Sequence, residues 1–122
     1  MVATDNYTRT ATLPTVIDGD TFRCTVDLGF YVNVRMCCRL AGINAPDAGE
    51  GGYAEAKGRL SELLLVATTI RVVSVKPDKF AGRFDAVVFA DQLNVCQQLV
   101  SEGLAVPWDG KGAKPLVPWP PP

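Results

Sequence analysis

Arg39 and Asp47 bracket the stretch R-L-A-G-I-N-A-P-D, in which an extended apolar segment runs into a Pro-punctuated turn carrying Asn44 and free backbone carbonyls. A guanidinium and a carboxylate on either side of such a turn can serve as electrophilic clamp and base, the two groups a phosphodiester-cleaving site requires. The same residue types also occur in any solvated loop. The chain has no histidine, which excludes His-based zinc sites, Ser-His-Asp triads and imidazole bases. Acid, base and metal chemistry therefore falls to Asp, Glu, Arg, Lys, Tyr or Cys.

Three further groups of residues bear on chemistry. Asp18-Gly19-Asp20-Thr21 is a turn, and its carboxylate and carbonyl oxygens at a bend are the donors a hard divalent cation takes. Asp78 to Arg83, D-K-F-A-G-R, is a hairpin tip that can present Lys79 and Arg83 to phosphates. Trp108 and Trp119 can stack on bases, or pack a proline-rich tail down onto the core.

The elements that must position these groups follow from periodicity. Tyr7 to Val16 is rich in Thr and Val and interrupted by Pro14, predicting an edge or bent first strand. Phe22, Cys24, Val26 and Leu28 alternate with polar residues, as do Val32, Val34, Met36, Cys38 and Leu40 after Gly29, predicting a hairpin of two half-buried strands. A three-residue loop of Leu28, Gly29 and Phe30 sets the apolar faces opposite each other, pairing Phe22 with Met36, Val26 with Val32 and Asp20 with Cys38. In that register the acidic turn lies next to Arg39. A helix is predicted from Tyr53 to about Thr68, with Ala56, Leu60, Leu63, Leu64 and Ala67 on its apolar face. Strands follow at Thr69 to Val75 and Arg83 to Ala90. Asn94 is placed as an N-cap with Gln97 as its capping-box partner, and Gly103 as a C-cap.

The order of these elements, three strands, helix, two strands, helix and tail, predicts a small closed or nearly closed antiparallel barrel with a helix inserted between strands. At 122 residues there is material for one domain. Residues 1-106 are expected to form it, with 107-122 as a Pro-rich tail. A net charge of −1 argues against a coat-like nucleic-acid binder while leaving room for a local cationic cleft. No apolar run approaches the roughly 20 residues of a membrane-spanning helix. The opening Met-Val-Ala-Thr-Asp lacks the basic and apolar regions of a secretory signal, so a cytoplasmic, phage-type setting is expected, with export as the lesser alternative. Cys24, Cys37, Cys38 and Cys96 form no C-x-x-C pair and read as small buried hydrophobes.

Taken together, V-I-D-G-D-T at 16–21, R-L-A-G-I-N-A-P-D at 39–47, G-Y-A-E-A-K opening the helix, D-K-F-A-G-R at 78–83 and N-V-C-Q-Q-L-V-S-E-G-L-A near the end occur in the order and spacing of the staphylococcal nuclease (thermonuclease) family. The chain resembles that family over nearly everything from Pro14 to Ala105. The resemblance implies an α+β, mainly β fold, a five-stranded OB-type barrel with two helices, and hydrolysis of DNA and RNA by a calcium-dependent monomer. It implies that Asp20, Asn44 and the carbonyl of Ala45 hold the metal, that Arg39 and Arg83 clamp phosphate, that Asp47 positions or deprotonates water, and that Lys79 and Phe80 contact substrate.

The chain also departs from the family pattern. Asn44 stands for an aspartate and removes a charge from the metal set. Asp47 stands for a glutamate and is shorter by about one methylene, at a distance scale where misplacement by about 1 Å can cost roughly 10²-fold. Phe80 stands for a tyrosine, and Ala81 lengthens its turn. These departures keep a second expectation in play, an OB-fold module that binds nucleic acid without turning it over. A third is a protein-interaction role for the tail as a polyproline ligand.

Overall fold

The computed structural model describes residues 7–78 and 82–122. Ten elements follow one another: β1 (Thr8–Asp18), β2 (Thr21–Asp27), β3 (Asn33–Leu40), β4 (Ile43–Asn44), α1 (Tyr53–Leu65), β5 (Ile70–Pro77), β6 (Arg83–Ala90), β7 (Leu93–Asn94), α2 (Val95–Ser101) and β8 (Val106–Pro107). Strands β1, β2, β3, β6 and β5 pair in a closed ring, so the fold is the expected five-stranded OB-type barrel with two helices. One expectation is corrected. The barrel is mixed, because β3 and β6 close it by parallel pairing, with Cys38 beside Phe84 and Arg39 beside Asp85. The connection between them, through α1 and β5, is long enough for a crossover that a hairpin could not make.

Of the two readings of β1, the bend holds and the edge does not. β1 lies between β2 and β5, pairing with β5 over Thr8–Ala11 and with β2 from Ala11 to Asp18. Its register with β2 slips between Thr12 and Thr15, and Leu13 takes a φ of 52°. Pro14, which has no N–H to give a ladder, sits in that irregularity, where a strand bends to serve two neighbours.

The β2–β3 hairpin forms in a register two residues away from the expected one. Phe22 pairs with Cys38, Cys24 with Met36 and Val26 with Val34, so the loop spans Leu28 to Val32 rather than three residues. Gly29, Phe30 and Tyr31 all take positive φ, and the Leu28 N–H donates to the Val32 carbonyl at 2.8 Å. A slip of two residues leaves every side chain on its own face, so the alternation could not distinguish the two registers. The consequence lies at the other end of the hairpin. Thr21 comes opposite Arg39, and the Leu40 N–H donates to the Asp20 carbonyl at 2.8 Å.

Phe22, Cys24, Cys38, Leu40, Val72 and Val88 fill the barrel, while Leu60 and Leu64 of α1 and Leu99 of α2 cover it. Burying each Phe or Leu contributes about 1.5–3 kcal/mol. α1 stops at Leu65, short of Thr68, and both Leu65 and Val66 are exposed. At α2 the expected N-cap bond forms, Asn94 Oδ1 accepting from the Gln97 N–H at 3.1 Å, while the C-cap residue is Glu102 and Gly103, one position later, turns the chain with φ 75°. Cys24, Cys38 and Cys96 are buried and free, and burial pushes the Cys24 thiol up to about 11.

Gly19 is where the acidic turn touches the rest of the molecule. A Cβ there would lie 2.7 Å from Ala56 Cβ of α1 and 3.0 Å from Ala45 Cβ. Only a residue without a side chain lets the turn seat against both. The proline-rich segment also packs against the core. β8 pairs with β4, Val117 is buried, Trp119 covers Gly51 and Gly52, and Pro121 covers Gly103. The boundary expected at 106/107 thus falls inside β8.

Candidate functional site

The barrel's outer face supplies the floor of the site. Because Phe22, Cys38 and Phe84 point into the core, their neighbours Thr21, Arg39 and Asp85 point out, side by side across β2, β3 and β6. Lys76 of β5 extends this row beside Asp85. One row further, Arg83 lies beside Cys37. With Asp18, Asp20, Asp47, Asp78, Trp108 and Lys114, these side chains surround a cleft of about 560 Å³.

Asp20 is buried at the cleft floor and held from several sides. Its Oδ1 accepts from the Thr21 hydroxyl at 2.9 Å and its Oδ2 from the Ala45 N–H at 3.0 Å. Arg39 Nη2 lies 3.7 Å from the same Oδ2. The Arg39 guanidinium donates to the carbonyls of Leu40 and Ile43 at 3.2 and 3.3 Å, and Trp108 lies against it at 5.4 Å. Those contacts fix the plane of the fork, which is what bidentate phosphate recognition needs. Arg83 is held in the same way by Asp78, Nη2 to Oδ1 at 2.9 Å.

Asp47 also lines the cleft and is exposed. Its N–H donates to Glu50 Oε1 at 2.7 Å, and its carboxylate lies 3.6 Å from Lys114 Nζ. Both partners of that ion pair are half exposed, so it is weak and opens readily. Tyr53, at the start of α1, donates its hydroxyl to Asp18 Oδ1 at 3.0 Å and ties α1 to the acidic turn.

Asp20, Arg39, Asp47 and Arg83, singled out from three separate segments, thus line one cleft. Asn44 and Ala45 do not line it. Asn44 is 2% exposed and its Nδ2 donates to the Pro115 carbonyl at 3.0 Å, while its Oδ1 has no hydrogen-bond partner. Ala45 supports Asp20 from behind through its N–H. Lys79 and Phe80 lie outside the described residues.

Of the site residues outside the motifs, two bear directly on Arg39. Asp85 is one: alternation along R-F-D-A-V-V-F-A puts it on the Arg83 face, a signal present in the sequence, but nothing local shows that Arg39 and Lys76 flank it. Its carboxyl is pushed up from 3.8 to about 6, first by burial and then by the hydrogen bond and charge of Asp78, with Arg39 and Lys76 pulling the other way. Trp108 is the other, brought over Arg39 by the turn after β8, where its N–H donates to the Gly42 carbonyl at 2.9 Å.

Calcium, the cation implied by the family resemblance, takes six to eight oxygens. Asp20 fits that need: each of its carboxylate oxygens keeps a lone pair beyond the bonds described. Among the described residues no three acidic, Cys or His side chains converge on one point. A cation beside Asp20 would therefore take most of its shell from waters or substrate phosphate oxygens. No protein-family model matches the chain, and no curated protein matches it. No helix among the described residues is long and apolar enough to cross a membrane.

Proposed function

We propose that the chain is a calcium-dependent nuclease that hydrolyses phosphodiester bonds of DNA and RNA with little sequence preference. The observation that carries this reading is the gathering of Asp20, Arg39, Asp47 and Arg83 around one cleft from three segments. Arg39 and Arg83 sit on adjoining strands, near enough in register to hold different non-bridging oxygens of one phosphate. Two guanidinium groups so placed offset the extra negative charge of a pentacovalent phosphorus. Asp47, exposed in the same cleft, orients a water for in-line attack and accepts its proton. Asp20 would hold the cation, and a bound calcium would supply Lewis-acid polarisation of the phosphoryl oxygen. The open cleft and the phosphate-directed groups favour backbone contact over base reading, consistent with low sequence preference.

The test is cleavage of a fluorophore–quencher single-stranded DNA, titrated with calcium and then with a chelator, beside Arg83→Ala and Asp47→Ala. Calcium-dependent signal lost in both variants is expected. Equal rates in all three proteins would refute the assignment.

The engagement of Asn44 with Pro115 favours a second reading, a module of the same fold that binds nucleic acid without turnover. It predicts salt-sensitive binding of single strands with no calcium-stimulated cleavage.

A further inference from the structure

We infer that Asp85 is a second carboxylate ligand of the divalent cation in this cleft, acting with Asp20, while Asn44 is not a ligand. The inference rests on reading the cleft as a cation-assisted phosphodiesterase site.

Asp85 is 8% exposed and its Oδ1 has no hydrogen-bond partner. A buried carboxylate oxygen without a partner is costly, and such atoms in folded proteins mark strain, function or an absent ion. The side chain lines the cleft together with Asp20. The strand register sets the two on either side of Arg39: Asp85 of β6 and Thr21 of β2 both pair with it, and Asp20 precedes Thr21. The groups that face Asp85 are Asp78, which shares a hydrogen bond with it, and the cations Arg39 and Lys76. Arg39 directs its described hydrogen bonds to the Leu40 and Ile43 carbonyls and turns Nη2 to Asp20.

Asn44 Oδ1 is likewise buried without a hydrogen-bond partner, and what separates Asn44 from Asp85 is its place. It does not line the cleft, and its amide is held by the proline-rich segment. A neutral amide oxygen off the cleft offers a hard cation less than a carboxylate that lines it. The charge absent at position 44 is thus restored from a different strand.

The test is binding of the metal alone to the purified full chain at neutral pH. Calcium is titrated calorimetrically, and terbium luminescence sensitised through Trp108 is competed with calcium. The wild-type chain is expected to bind one ion. Asp85→Asn should weaken calcium at least tenfold while keeping its circular dichroism, Asp85→Glu should retain more affinity than Asp85→Asn, and Asn44→Ala should stay within about twofold. Asp78→Asn removes the carboxyl pair but not the proposed ligand, and should change affinity less than Asp85→Asn. Unchanged affinity in Asp85→Asn would overturn the inference and leave the nuclease reading standing, as would an equal loss in Asp78→Asn. Absence of calcium and terbium binding to the wild-type chain would overturn both.

Discussion

Asp85→Asn is also expected to stabilise the metal-free protein, and by an amount that depends on pH. The folded Asp85 carboxyl is raised from 3.8 to about 6 by burial and by Asp78. A carboxyl with a raised folded pKa favours folding in its protonated form. Its contribution is therefore fully present below pH 4 and is lost as pH rises through about 6. The shift corresponds to about 2–3 kcal/mol of stability lost on ionisation. Asparagine carries no charge to ionise, so at pH 8 the variant should exceed wild type by most of that amount, and at pH 3.5 the two should coincide. With about 3–4 °C per kcal/mol for a domain of this size, the Tm gap at pH 8 is roughly 8–10 °C. The assay is thermal unfolding by circular dichroism with chelator present, across pH 3.5 to 8. A gap that does not change with pH, or a variant that melts below wild type at pH 8, would show that ionised Asp85 is not strained in its site.

Gly19→Ala should lower stability by about 1–3 kcal/mol, because its Cβ meets Ala56 Cβ at 2.7 Å and overpacking displaces the acidic turn; an unchanged urea midpoint would contradict that seating. Glu102 receives Arg59 Nε at 2.9 Å and Nη2 at 3.0 Å, and Arg59 holds its carboxyl below the usual range. A depressed pKa gives stability present above the unfolded value and lost on acidification, so Glu102→Gln should flatten the acid limb of the Tm profile, and an unaltered limb would count against the α1–α2 bridge. Asn94→Ala removes the cap to Gln97 and should cost about 1 kcal/mol in chemical unfolding.

Much of the fold was legible in local pattern. Period-two alternation marked the strands and their buried faces, helical spacing marked Ala56, Leu60, Leu63 and Leu64, and Asn94 and Gly103 carried their capping signals in their own chemistry. The acidic turn, Arg39 and Arg83 were legible too, because a turn with two carboxylates and arginines beside strands are features of single short segments.

Pairing between segments was not. Two hairpin registers for Phe22–Leu40 bury the same faces, and the five-residue Leu28–Val32 loop chooses between them. The parallel closure of β3 on β6 joins residues 37–40 to 83–86, a contact no local signal encodes. Asp85 acquires Arg39 and Lys76 as neighbours only through that closure. Asn44 has an oxygen that suits a cation in sequence, but the returning proline-rich segment claims its amide. Residue types and faces are set by local stereochemistry and hydrophobic period, and these the sequence by itself determined. Which oxygens meet in one cleft depends on loop closure and long-range strand pairing, and only the tertiary structure decided that.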